Sequence, residues 1–290
     1  MNASRPLFIA EASSNHGREL SRSLAFVDAA ASVGCDAVKF QLFKIDRMFA
    51  PEILNRSAKH RARQEWELPK EHLAPLAEHC SKRGIAFSCT PFYVEAVEEL
   101  RPYVAFYKIA SYELLFRDLL KACAATGKPV VLSTGMATMA EILAAITTLK
   151  NAGAVDITLL HCISAYPTPA AEANLSAIAA IRQATACKVG WSDHTRRPAV
   201  IERAIHHWGA EVVEFHLDLD GNGAEYASGH CWLPQEIAPV IARVRESFIA
   251  DGDGFKGPQP AELADRDWRA DPEDGMRPLR HIRAIWEPAA

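Results

Sequence analysis

Val130-Val131-Leu132-Ser133 is a short β-rich run, followed by Thr134-Gly135, a helix-period segment from Met139 to Ala152, and a second β-rich run, Ile157-Thr158-Leu159-Leu160-His161-Cys162-Ile163. A strand, an amphipathic helix and another strand in quick succession have the pattern of a crossover between parallel strands. The alternation continues outward in both directions. Upstream strand candidates are Leu7 to Ala12, Ala37 to Phe43, Ile85 to Cys89 and Phe106 to Ala110; downstream ones are Lys188 to Trp191 and Val212 to Leu217. The remaining helix-period segments are Ser21 to Val33, Lys70 to Arg83, Val94 to Leu100, Leu115 to Thr126, Leu175 to Thr185, Ala199 to Trp208 and Pro234 to Ile249. Eight such units predict an α/β fold, a (β/α)8 TIM barrel, over residues 1–250. The competing doubly wound open sheet lacks its G-x-G-x-x-G first turn here.

The composition narrows the partners. Of 290 residues, 49% are apolar, and 32 basic against 36 acidic side chains leave a formal charge of −4. That balance gives no field to draw in nucleic acid or an acidic membrane, so a small molecule is the expected partner. No apolar stretch is long enough to cross a bilayer and the start carries no signal-peptide core, which predicts a cytoplasmic protein. Seven cysteines occur without a C-x-x-C pair and read as reduced core residues.

Two stretches break the repeat. Lys44 to Pro69 is charged and long for a connection, and reads as a lid or an edge excursion. Residues 251–290 form a Gly/Pro/Arg-rich tail, expected not to be an independent domain; docking on the barrel or on a neighbouring subunit and a loosely ordered terminus are both open.

In a barrel of this kind chemistry sits at the carboxyl ends of strands, so polar residues that interrupt apolar runs there are informative. They are Glu11; Lys39 and Gln41; Thr90; Lys108, Ser111 and Glu113; Ser133; Ser164 and Tyr166; Ser192 and His194; and Glu214 and His216. Two lysines on apolar strands among several hydroxyls suit an anionic ligand. His194 and His216 close adjacent strands and suit one divalent metal, with Glu214 or Glu11 adding an oxygen. His60, His72, His79, His206, His207 and His281 read as solvated.

At these residues the chain resembles the catalytic barrel of the N-acetylneuraminate (sialic acid) synthase family. The resemblance runs from about Leu7 to Ile249 and rests on Ile9-Ala10-Glu11-Ala12 with Asn15-His16-Gly17, Ala37-Val38-Lys39-Phe40-Gln41, Ser88-Cys89-Thr90-Pro91-Phe92 and Tyr107-Lys108-Ile109-Ala110-Ser111. It continues through Leu132-Ser133-Thr134-Gly135-Met136-Ala137-Thr138, Leu160-His161-Cys162 with Tyr166-Pro167-Thr168-Pro169, Gly190-Trp191-Ser192-Asp193-His194-Thr195 and Glu214-Phe215-His216.

The resemblance implies condensation of phosphoenolpyruvate with an aldehyde sugar resembling N-acetylmannosamine, giving a nonulosonic acid and phosphate. It implies that Lys39, Thr90, Lys108, Ser111, Ser133 and Ser192 hold phosphoenolpyruvate, that Glu11 orients or deprotonates water, and that Gln41, Glu113 and Tyr166 line the sugar side. It also implies that His194 and His216 bind manganese or magnesium, and that the subunits pair as a homodimer.

Three departures bear on the transfer. Phe215 replaces the family's lysine in strand eight, and alternation predicts that it faces outward. After that strand Ala227 stands where the family has an aspartate near the metal, which makes Glu225 and His230 candidate substitutes and this loop the place where a different sugar would be read. The family's antifreeze-like domain, which brings an arginine to a partner's site, is expected to be missing; Arg269, Arg277 and Arg280 are candidates for that part, with surface salt bridges as the alternative reading. Two other functions stay open: a metal-dependent aldolase using pyruvate, for which this anion-binding capacity is excessive, and a sugar-phosphate-binding barrel without catalysis.

Overall fold

The computed structural model describes residues 5–223 and 225–287. Its centre is a closed barrel of eight parallel strands in sequence order, β1 Leu7–Glu11, β2 Ala37–Leu42, β3 Ala86–Pro91, β4 Phe106–Ile109, β5 Val130–Ser133, β6 Ile157–Cys162, β7 Lys188–Asp193 and β8 Val212–His216. The expected (β/α)8 fold is therefore the observed one. The strand-edge differences have a common cause. β3 and β7 run two residues past the last apolar position because Leu42 pairs with Pro91 and Asp193 with Phe215, so polar residues finish the ladder.

The helix Met139–Asn151 illustrates why these segments fold as they do. Thr138 accepts the Glu141 amide while the Glu141 carboxylate accepts the Thr138 amide, a reciprocal cap on the first turn. Ile142, Ala145, Ile146 and Leu149 recur at helical spacing and form its buried face.

Period-two alternation then assigns the barrel interior. Ile9, Ala37, Val131, Leu160 and Val212 form one buried layer, with Ala86 and Phe106 packed against it. Two residues further along the same strands come Glu11, Lys39, Val131's neighbour Ser133, Cys162, Glu214, Ser88 and Lys108. The side chains of that second layer thus stand directly above an apolar floor. In β7 the floor position is Gly190, where a Cβ would come 2.2 Å from the Val212 carbonyl oxygen and 2.7 Å from Cδ2 of Leu160. Leu160 already fills that space. Phe215 has the opposite parity, is fully buried, and lies outside the cavity, as its alternation with Glu214 and His216 predicts.

Lys44 to Pro69 folds as short helices, Ile45–Met48, Pro51–Arg56 and Ala58–Ala62, followed by a 3-10 turn, Arg63–Trp66. Of the described residues, those up to 247 make one compact unit and those from 248 onward another. Within the second, Asp271 accepts the Arg280 and Glu273 amides, Arg283 pairs with Asp274 at 2.6 Å, and Arg280 pairs with Glu273. Arg269 bonds the Arg266 carbonyl, so Arg280 is the expected surface ion pair and Arg269 a local brace.

His72 corrects the solvated reading: it is buried, with Nδ1 3.4 Å from Ser23 Oγ. The other five histidines of that group are exposed or half-buried, His79 pairing with Asp28. All seven cysteines are free and six are buried. None of the described helices is long and apolar enough to cross a membrane.

Candidate active site at the carboxyl ends of the strands

A cavity of about 620 Å³ opens above the polar layer. Of the expected residues, Glu11, Lys39, Gln41, Lys108, Ser111, Glu113, Ser133, Tyr166, Ser192, His194, Glu214, His216, Glu225 and His230 all line it. Thr90 stands one contact behind, accepting from Lys39 Nζ at 3.1 Å. Ser164 is also set back, with a buried hydroxyl that has no partner.

The two lysines are almost fully buried, at 3% and 2% exposure. Parallel register explains their company: Glu11 pairs with Lys39 across β1 and β2 and with His216 across β1 and β8, so one carboxylate is flanked by an ammonium and an imidazole. Lys39 forms an ion pair with Glu11 and lies 4.0 Å from Glu214; Lys108 lies 3.6 Å from Glu214. Burial works against the charge of Lys39, yet the carboxylates of Glu11 and Glu214 raise its pKa. For Lys108 burial prevails over Glu214 and lowers it. Glu214 is held low against its burial by Lys108 and Lys39. Gln41 Nε2 donates to Glu11 at 2.7 Å, and Ser192 donates to Glu214 at 3.2 Å.

Beside the lysines is an oxygen-rich hollow. Ser133 and Ser164 hydroxyls are buried without partners, and Ser111 Oγ accepts the Gly135 amide at 3.0 Å. A Cβ on Gly135 would lie 2.3 Å from Ser164 Oγ and 2.9 Å from Ser111 Oγ, so glycine is what lets the hydroxyls crowd the backbone. Unspent buried donors next to ammonium groups are the chemistry of an anion seat.

On the other side is a nitrogen-rich cluster. His194 Nδ1 is 2.7 Å from the Ile163 carbonyl, which leaves Nε2 for a ligand, and its ring centroid is 5.3 Å from that of His216. Tyr166 packs against His194 with ring centroids 4.2 Å apart and planes tilted by 40°. Burial and the nearby His216 push His194 down to about 3, so it is a neutral ring. His216 is also buried, but Glu225 raises its pKa. Glu225 lies 3.2 Å from His216 and 3.7 Å from His230, and is held well below the usual carboxylate range by these rings despite burial.

The donor atoms of His216, Glu225, His230 and Cys231 all fall within 4.8 Å of one another. Two imidazoles and a carboxylate at that spacing fit a divalent cation. Glu225 and His230, the substitutes expected in this loop, stand close to His216, whose ring centroid is 4.6 Å from that of His230 against 5.3 Å for His194, and Cys231 is beside them.

The loop after β8 brings them there. Trp232 N donates to the His216 carbonyl and Asp218 N to the Trp232 carbonyl, both at 2.8 Å, so the chain returns alongside its own strand. Asp218 accepts the Gly221 and Gly223 amides and pairs with Arg22, while Asn15 accepts the Glu225 amide. Asp193 anchors the other side, accepting from Trp191, Trp232 and Thr195. Asp193 is thereby a fixing residue beside His194.

Ser13 and Ser14, polar residues just past strand one, donate to Glu225. Sequence reasoning missed Met48, Phe49, Arg63 and Trp66, which enter from the excursion after β2. The length and charge of that excursion were the available signal, but nothing local in it sets direction.

A closed parallel barrel with buried lysines, hydroxyls and a histidine cluster at its strand ends has its polar groups where α/β-barrel enzymes carry their active sites. The sequence model described as the NeuB family matches residues 26–256, and the chain belongs to that family, one of sialic-acid-type synthases. It is 36% identical over 271 residues to the N,N'-diacetyllegionaminic acid synthase of Campylobacter jejuni, covering 89% of this chain and 81% of the relative. It is 33% identical over 272 residues to the pseudaminic acid synthase of Helicobacter pylori, covering 90% and 80%. The solved N-acetylneuraminic acid (sialic acid) synthetase of Leptospira borgpetersenii, a citrate complex, superposes with a TM-score of 0.79 at 30% identity and 92% coverage of both chains.

Proposed function

We propose that this protein condenses phosphoenolpyruvate with an aldehyde sugar to give a nonulosonic acid and inorganic phosphate. The observation that carries the reading is the pair of buried lysines beside the unpartnered hydroxyls of Ser133 and Ser164. Phosphoenolpyruvate bears about three negative charges in a small volume at neutral pH, and such a seat offsets them with fixed donors.

In this mechanism Lys39, Lys108, Ser111, Ser133, Ser164 and Ser192 bind its phosphate and carboxylate, with Thr90 holding Lys39 in place. C3 of the enol attacks the aldehyde carbon, and the aldehyde oxygen takes up a proton to become a hydroxyl. Water then adds at C2, and the C2–O bond to phosphate breaks from the tetrahedral adduct. Glu11 orients that water and accepts its proton; Gln41 fixes Glu11, and Glu113 and Tyr166 flank the sugar. His194, His216, Glu225 and His230 are the residues that would hold a divalent ion, manganese or magnesium, which when bound supplies Lewis-acid polarisation of the aldehyde.

Incubation with phosphoenolpyruvate, manganese and a panel of 2-acetamido aldoses tests the reading through phosphate release. Release that needs both metal and sugar is expected. Turnover with pyruvate in place of phosphoenolpyruvate would point to the aldolase instead, and a folded, metal-loaded protein inert to every sugar would leave the binding-only barrel.

A further inference from the structure

Among the described residues, Arg63 is a cation without an anion. Lys39 and Lys108, the other fully basic side chains of the cavity wall, each face a carboxylate, whereas Arg63 has no ion pair and no side-chain hydrogen bond among the described residues. Its Nε is buried and unpartnered. Two aromatic rings fix the group: Cζ lies 5.6 Å from the centroid of Phe49 and 5.4 Å from that of Trp66. Phe49 is braced in turn by an edge-on contact with His60 at 4.9 Å, and His60 Nδ1 is 2.7 Å from Ser57 Oγ. A guanidinium held between ring faces keeps its planar fork of donors oriented, and that fork matches two oxygens of a carboxylate or phosphate.

The acids of the cavity do not supply the missing partner. Glu11 and Glu214 serve the lysines, and Glu225 faces His216 and His230. Glu113 is set apart by its burial, which raises its carboxyl to about 7 and so disfavours its charged form, and it makes no ion pair with Arg63 among the described residues. Phosphoenolpyruvate, on the reading proposed above, is seated on the strand-end lysines and hydroxyls. The anion for Arg63 must then come with the other substrate.

We infer that Arg63 is a specificity-determining residue that grips an oxyanion on the acceptor sugar, remote from the aldehyde, so that the preferred acceptor is an anionic aldose. This rests on the synthase reading and names its substrate class. A phosphate ester and a carboxylate share the required chemistry.

The test compares N-acetylmannosamine, its 6-phosphate and the corresponding uronic acid, in wild-type protein and in Arg63→Gln and Arg63→Lys. Phosphate release gives kcat and KM, calorimetry gives sugar affinity, and a melt checks folding. For wild type, kcat/KM is expected to be at least ~10-fold higher with one of the anionic sugars, and which one identifies the oxyanion. Arg63→Gln should cost ~10–100-fold on that sugar, chiefly in KM, with little change on the neutral one. Arg63→Lys should recover part of the loss, since charge returns without the fork.

Equal use of neutral and anionic sugars by wild type, or equal loss on both in Arg63→Gln, overturns the inference while the synthase reading stands. Failure of every sugar to release phosphate overturns the synthase reading, and with it this assignment of the anion to a substrate. Calorimetric binding of the anionic sugar that is unchanged in Arg63→Gln counts against Arg63 whatever the turnover.

Discussion

Oε2 of Glu225 lies 3.2 Å from Nδ1 of His216, although the two residues leave the barrel on opposite arms of a loop, and its other oxygen receives the hydroxyls of Ser13 and Ser14. A carboxylate so placed is either a ligand to the divalent ion or the group that orients its imidazole. Glu225→Gln is therefore expected to weaken manganese binding by ~10–100-fold, measured as free ion by electron paramagnetic resonance. Unchanged affinity in a folded variant would remove Glu225 from both roles.

The buried Lys39–Glu11 pair predicts a stability effect separable from catalysis. Lys39→Met leaves Glu11 buried and uncompensated, and should cost ~3–5 kcal/mol in denaturant unfolding. Adding Glu11→Gln should recover much of that while phosphate release stays abolished. A double variant no more stable than the single one would contradict the pairing.

Glu113 predicts a pH dependence. Burial raises its carboxyl from 4.5 to about 7, against the pull of Lys108 and Lys39. The folded protein then binds more protons than the unfolded chain between those values, so stability is full below about 4.5 and falls as pH rises to about 7. Glu113→Gln should consequently be more stable than wild type at pH 8, by ~1–3 kcal/mol, with the advantage vanishing near pH 4.5. Thermal melts of both proteins across this range check the sign.

Gly190 and Gly135 predict contrasting outcomes for the same substitution. At Gly190 a Cβ would meet a backbone oxygen at 2.2 Å, where only strand movement gives relief. Gly190→Ala should cost ~3 kcal/mol or more, at the upper end of overpacking effects. At Gly135 the atoms met are side-chain ends, Ser164 Oγ at 2.3 Å, Cys162 Sγ at 2.8 Å and Ser111 Oγ at 2.9 Å, each of which can turn about its Cα–Cβ bond where no backbone stands in the way. Gly135→Ala should melt within several degrees of wild type yet bind phosphoenolpyruvate weakly, because the rotated hydroxyl fills the anion seat. Equal loss of stability in both variants would argue against this division.

Much of the site was legible because a strand carries its own register. Lys39 and Lys108 stand out as charged residues that interrupt apolar strands near their carboxyl ends, and the parallel ladder places them in one layer with Glu11, Ser133 and Glu214. His72 was misread because its neighbours Lys70 and Glu71 are polar; the 3-10 turn Lys70–His72 rotates only the third residue inward. Arg63 gave no sign at all. It sits in a charged segment without a clear period, where sequence offers no way to tell an arginine turned to solvent from one turned to a cavity.

By itself the sequence determined the eight strand and helix units, their order, and which polar residues interrupt the strands near their carboxyl ends, since hydrophobic periodicity is local and survives without knowledge of the partners. Only the tertiary structure decided that Glu225 and His230 stand against His216, and that Arg63 is held by Phe49 and Trp66 with no counter-ion among the described residues. Those placements hang on Trp232 bonding back to His216, on Asn15 and Asp218 gripping the loop, and on rings that meet through chain reversal. Loops have no intrinsic register, so their side chains acquire direction only when the body of the fold supplies the bonds that pin them.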